Sequence, residues 1–284
     1  MKNFAQYLNN LPVNPDVAAK VLNMVESKDF SFQALEDSIK IDPGLTMKIL
    51  RIANSALYAR PKGVTQLQTA ITLLGLKTIK SLVILATGAS IFPNSKRSPF
   101  YTFFWKHSIV TAFVARDLAI LINKKNLADD AFIAGLLHNI GQVAFYFADP
   151  VKYEALLAVA GESGQRISLL EQAQYDSNHK EVGYDVLTGW NFPTVYTDTA
   201  REHGNNHITS EHKQVIILVS TADFLTSNFY LLKDRPEQLS LLQPYLPFLG
   251  MTVEGLEQFQ KDCLNQLSTD KLFLECHNLF GIPA

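Results

Sequence analysis

Three times in this chain an asparagine or aspartate stands directly before a proline: Asn14-Pro15, Asp42-Pro43 and Asp149-Pro150. The side-chain oxygen accepts a free N–H of a helix's first turn. Proline suits the first helical position, where no N–H is needed and its φ is already helical. Val17, Val21, Leu22 and Val25 follow Pro15, and Leu45, Ile49, Leu50 and Ala53 follow Pro43. Steps of three and four place each set on one helix face. No stretch alternates as a strand does, and no internal repeat or low-complexity segment is present. The expected fold is all-α. With 284 residues, 47% of them hydrophobic, the chain is long enough for one large domain or two modest ones.

The same reading extends along the chain. Ser31 opens a short helix with Phe32, Leu35 and Ile39 inward. Thr65 and Gln68 read as a capping box, opening a helix that stops at Gly75. Another helix starts at Leu76 and turns Lys77 and Lys80 to solvent. The polar stretch Pro93–Pro99 reads as a linker. A long aromatic helix, Phe100 to Ile122, then carries His107, and Asn123 to Asn126 form a loop. Asp129 or Asp130 is the expected cap of the helix leading to His138. Gly161 to Gly164 read as a turn, Ser168 as a cap, and Asp176 or Ser177 as the start of the helix holding His179. Trp190 to Pro193 breaks that helix, and Val215 to Phe224 is an apolar helix containing Asp223. Three regions result: an N-terminal helical subdomain (1–98), a helical core (99–230) and a leucine-rich C-terminal helical extension (231–284) punctuated by Pro236, Pro244 and Pro247.

Composition narrows the partners. Net charge is -2 and the pI about 6.4, which gives no electrostatic case for nucleic acid or an anionic membrane surface. Cys263 and Cys276 match no zinc spacing and read as free thiols in a reducing compartment. The stretch Met1–Gln6 lacks the apolar core of a signal peptide. The greasy run Ser81 to Phe92 is too short to span a bilayer and is broken by Gly88. The expectation is a cytoplasmic protein.

The chemistry gathers at one place. An apolar helix with Ala131, Phe132, Ala134, Leu136 and Leu137 ends in His138-Asn139, and Gly141 follows. Burying an imidazole and a carboxamide among leucines costs free energy unless both find partners. His107 lies upstream in a helix, and Asp223 lies downstream in another. A buried carboxylate is rarely left unpaired.

In chain order the pieces are Ile41-Asp42-Pro43-Gly44-Leu45-Thr46, Ile52-Ala53-Asn54-Ser55-Ala56-Leu57-Tyr58, Leu74-Gly75, His107-Ser108, Ala134 to Gly141, His179-Lys180-Glu181-Val182-Gly183 and Trp190-Asn191-Phe192-Pro193. Together, over roughly residues 8 to 225, they resemble the HDOD family, a bacterial branch of the HD phosphohydrolase superfamily. The resemblance implies an N-terminal helical block packed on an HD-like core, in proteins regarded as signalling or regulatory modules. It assigns the metal-ligand order of the superfamily to His107, His138, Asn139 and Asp223. His179, His203 and Gln142 become pocket-lining positions. Arg51, Asn54 and Tyr58 become an interaction or interdomain surface.

Three positions depart from the superfamily pattern. Asn139 replaces an aspartate, Gln142 stands where a lysine is common, and Glu202 stands where a second histidine is often found. A neutral amide is a poor ligand for a hard cation and cannot bridge two of them as a carboxylate does. Two functions follow from the resemblance. The first is a non-catalytic regulatory module without a cofactor, acting on a signalling protein partner or a nucleotide-like ligand. The alternative is a metal-dependent phosphohydrolase working with a single divalent ion (Mn, Mg, Fe or Zn).

Overall fold

The computed structural model describes residues 4, 15–27, 30–55, 58, 63–91, 98–231 and 242–282, and every regular element among them is helical. Asn14, most of the Pro93–Pro99 linker and Pro236 lie outside the described residues.

The N-terminal helices are α1 (Pro15–Glu26), α2 (Phe32–Lys40), α3 (Pro43–Ala53) and α4 (Leu67–Gly88). Ser31 caps α2 and Asp42 caps α3, each accepting an N–H from the first turn. The capping box at Thr65 does not form. Gln66 precedes α4 with no side-chain cap, and non-helical Gly75 divides α4 into two end-to-end segments. Phe32 is 55% exposed and packs edge-on against Phe30 instead of entering the core. Lys80, expected at the surface, is buried beside Asp130.

Next come α5 (Pro99–Leu121), α6 (Ala128–Leu137), α7 (Ile140–Ala148), α8 (Pro150–Ser163) and α9 (Ile167–Tyr175). They are followed by α10 (His179–Gly189), α11 (Thr194–Glu202) and α12 (Lys213–Leu231). A 3-10 turn, Lys125–Leu127, occupies part of the expected Asn123–Asn126 loop. Asp149 caps α8 as expected. Gly161 lies within α8, which ends at Gly164.

Three other expected caps are replaced. Asp129 and Asp130 sit inside the first turn of α6 and bind across to Lys77 and Lys80 of α4, with Tyr196 also donating to Asp130. Arg166, not Ser168, precedes α9, without a side-chain cap. Asn178, not Asp176 or Ser177, caps α10.

The last helices are α13 (Leu246–Leu249), α14 (Val253–Leu267) and α15 (Lys271–Phe280). α14 and α15 pack on α5, and α15 makes the named contacts: Tyr101 donates to the Phe280 carbonyl, Trp105 stacks on Phe280, and Phe113 meets Phe273 edge-on. The buried apolar side chains join in one continuous core running from Phe4 to Ile282. Two helical stretches, Leu67–Gly88 and Lys125–Ala148, are long and apolar enough to cross a membrane by length and composition. Within their most apolar windows, 56% and 89% of residues are buried inside the fold.

Candidate functional site

Three helices converge to build the site. His107 lies midway along α5, His138 follows the last residue of α6, and Asp223 lies on α12. Gly135 permits the approach of α6 to α5, since a Cβ there would stand 2.7 Å from the Ala112 Cα. His107 Nε2 then lies 3.1 Å from Asp223 Oδ1, and His138 Nε2 lies 3.6 Å from the same oxygen. The His107 ring stacks on Phe103 at an interplanar angle of 8°, which helps fix its orientation.

The proton on His138 is placed by its other nitrogen. Nδ1 lies 2.8 Å from the Gly135 carbonyl oxygen, which only accepts, so Nδ1 carries the hydrogen. In the neutral ring Nε2 is then a bare lone pair. It is buried without a hydrogen-bond partner and faces a carboxylate oxygen. Two acceptors facing each other repel unless a cation lies between them. Burial alone would raise the Asp223 carboxyl. The His107 hydrogen bond works against it, and the group is held well below the usual carboxylate range.

Asn139 and Gln142 are both buried and line the same cavity. Asn139 precedes α7 but makes no capping bond, and its Oδ1 is buried without a partner. His179 enters from α10 because α7 and α10 touch at Gly141, where a Cβ would stand 2.0 Å from the His179 carbonyl oxygen. His179 Nδ1 and backbone N–H both donate to Glu171 Oε2, at 2.6 and 2.8 Å. Tyr153 donates to the other oxygen of Glu171 at 2.6 Å. His203 Nδ1 donates to the carbonyls of Ala200 and Thr199. Its ring lies edge-on to His138, with centroids 5.0 Å apart, and 5.5 Å from the ring of His179. Burial pushes His203 well below the ordinary histidine range, so it stays neutral.

His107, Asn139, Gln142, His179, His203 and Asp223 line one cavity of about 490 Å³, with His138 buried behind it. The ligand-capable atoms of His107, His138 and Asp223 all lie within 4.8 Å of one another. Two imidazoles and a carboxylate, with one bare nitrogen already aimed at the centre, fit one divalent cation with three protein ligands. A cation held there would supply Lewis acidity towards water and phosphoryl oxygens. Asn139 offers a fourth, neutral oxygen.

The stretch carrying Arg51, Asn54 and Tyr58 divides in role. The Asn54 amide donates to the Leu50 and Val64 carbonyls and accepts from the Val64 N–H, stapling the α3–α4 connection. Tyr58 is half-buried against the core, and burial raises its phenol. Arg51 is exposed.

Sequence reasoning missed Glu171, Arg166, Lys180 and Tyr245. Glu171 orients His179, and the other three line the cavity. Each acts through contacts between separate helices or loops, which no local spacing announces.

The comparisons fit this geometry. The chain matches the HDOD domain family over residues 11–206. It is 25% identical over 222 residues to an uncharacterized protein of Treponema pallidum, covering 78% of this chain but only 43% of that relative's length. Its fold is similar to the crystal structure of an HDOD domain protein of unknown function from Geobacter sulfurreducens, with TM-score 0.71, 19% identity and 97% of each chain covered. It is also similar to a provisionally assigned phosphohydrolase from Shewanella amazonensis, with TM-score 0.70, 21% identity and 98% of each chain covered. At these identities the two structures establish the all-α fold. The family match runs through the His107 and His138 segments and the α10 segment that carries His179, and on that match the chain belongs to the HDOD domain family.

Proposed function

We propose that this chain is a bacterial, cytoplasmic regulatory module that binds a small ligand in the cavity and passes its occupancy to a protein partner. In this reading it does not turn over phosphate esters at a useful rate. The observation that carries the reading is Asn139. Its neutral carboxamide lies buried beside His138 with Oδ1 unpartnered, where the superfamily pattern has a carboxylate able to bridge two metals. The remaining trio supports one weakly held, exchangeable cation.

A second reading, single-metal phosphohydrolysis, is favoured by the bare Nε2 of His138 facing Asp223. One assay separates the two: release of nitrophenol from bis(p-nitrophenyl) phosphate and p-nitrophenyl phosphate with added Mn or Mg. The regulatory reading expects the native chain to match its His138→Ala variant. Turnover by the native chain that His138→Ala abolishes contradicts it.

A further inference from the structure

Away from the His107–His138–Asp223 centre, the cavity wall carries two cations joined to one turn. Lys180 Nζ donates to the His203 carbonyl at 3.1 Å and also to Asn205 Oδ1. Arg166 Nη2 donates to the next carbonyl, that of Gly204, at 2.9 Å. The turn itself is tied down, since Gly204 N–H donates to Ser220 Oγ and the Tyr245 hydroxyl donates to the Asn205 carbonyl. An ammonium and a guanidinium are thus drawn to consecutive carbonyls of a fixed turn, and both line the cavity.

Neither cation forms an ion pair among the described residues; their acceptors are neutral oxygens. The carboxylates that line the cavity are engaged elsewhere. Asp223 is held by His107, and Glu154 accepts the Phe100 N–H. Burial, then repulsion from Arg166, outweighs the attraction of Asp223, Glu181 and Glu202 and lowers Lys180 to about 8. The cavity wall also carries apolar side chains, among them Phe103, Leu157, Phe224 and Leu242. Phe103 is 39% exposed, a large aromatic face left open in a concave surface. The cavity's volume, about 490 Å³, is that of a small-molecule site.

We infer that the cavity binds an amphipathic anion, its carboxylate or phosphate held by Lys180 and Arg166 and its apolar body lying against Phe103, Leu157, Phe224 and Leu242. The inference rests on the ligand-binding reading above and names the class of ligand. It also removes the metal from ligand recognition, because the charged group is met by side chains outside the trio.

Isothermal calorimetry of the full chain at neutral pH and low salt tests it, with decanoate, 1-naphthyl phosphate, decanol and inorganic phosphate as probes. One or both amphipathic anions bind, and which one tells carboxylate from phosphate. Decanol and inorganic phosphate bind at least about tenfold more weakly, as expected when either the charged contact or the apolar body is missing. Lys180→Gln and Arg166→Gln each weaken the anions by about tenfold or more and leave decanol unchanged. Arg166 is exposed, so its variant tests the site with the fold intact. Phe103→Ser weakens every probe that has an apolar body, and added EDTA changes nothing.

Three results overturn the inference: neither anion binds, both lysine and arginine variants bind as the native chain does, or EDTA abolishes binding. The last would place the anion on the metal centre. Phosphodiester turnover would contradict the regulatory reading while leaving anion binding standing. Absence of anion binding sinks the present inference while the turnover result stands.

Discussion

Two carboxylates with histidine partners lie in this core, and they are built to opposite ends. Glu171 is fully buried and saturated. Tyr153 donates to one oxygen, and the His179 ring and backbone donate to the other, all within 2.8 Å. Burial, then the Glu171 charge, pushes the Tyr153 phenol well above its usual range, so it remains a donor. Asp223 keeps a side chain 26% exposed to the cavity. It receives one ring hydrogen bond from His107 and a long contact from Ser227, and it faces a bare nitrogen of His138. A carboxylate with both oxygens held by buried donors is scaffold. One confronted by an unpartnered imidazole nitrogen has room for a cation. The difference locates the candidate site within a cluster of histidines that composition alone would treat alike.

Removing the scaffold carboxylate is the most damaging change this comparison foresees. Glu171→Ala leaves a buried phenol, a ring N–H and a backbone N–H without their acceptor. It should destabilise the fold by about 3–5 kcal/mol in urea unfolding. A loss below about 1 kcal/mol would show that the network is not structural.

The next effect is a dependence on acid. His203 is held well below its usual range, so the unfolded chain takes up that proton first. In metal-free protein, stability should fall as pH drops below about 6.5, by at most about 1.4 kcal/mol per pH unit from this group. His203→Gln should flatten that slope. Asp223 has the same sign lower down. Its stabilisation is complete above the unfolded value of about 3.9 and is lost as pH falls further.

Asp223→Ala itself should cost the fold little at neutral pH, about 1 kcal/mol for the lost His107 bond, while abolishing any metal uptake. A loss as large as that of Glu171→Ala would erase the distinction between the two carboxylates. The smallest effect is none at all. Burial pushes the Cys263 and Cys276 thiols up to about 12, so iodoacetamide should label neither until the chain unfolds.

The sequence was readable where the signal was local. Asp42 and Asp149 before prolines cap helices as their chemistry requires, and His107, His138 and Asp223 stand out because polar groups are rare on such apolar helices. It was ambiguous where several residues could do one job. Near α6 and α10 more than one side chain could cap, and near α9 Ser168 was the candidate; the backbone chose Asn178 at α10 and no side chain at the other two. It was silent where the partner comes from another helix. Lys80 is buried because Asp130 of α6 meets it, and His179 is oriented by a glutamate on α9. Asn54 shows the reverse case, a motif residue expected at an interaction surface whose amide staples a loop.

If Asn139 weakens the His107–His138–Asp223 cation site, metal content per chain should show it, measured after dialysis without chelator in the native protein and in Asn139→Asp. The native chain should hold far less than one equivalent and the variant should retain about one, since a charged oxygen ligand restores affinity. A native chain that keeps a full equivalent, or a variant as empty as the native chain, would contradict it.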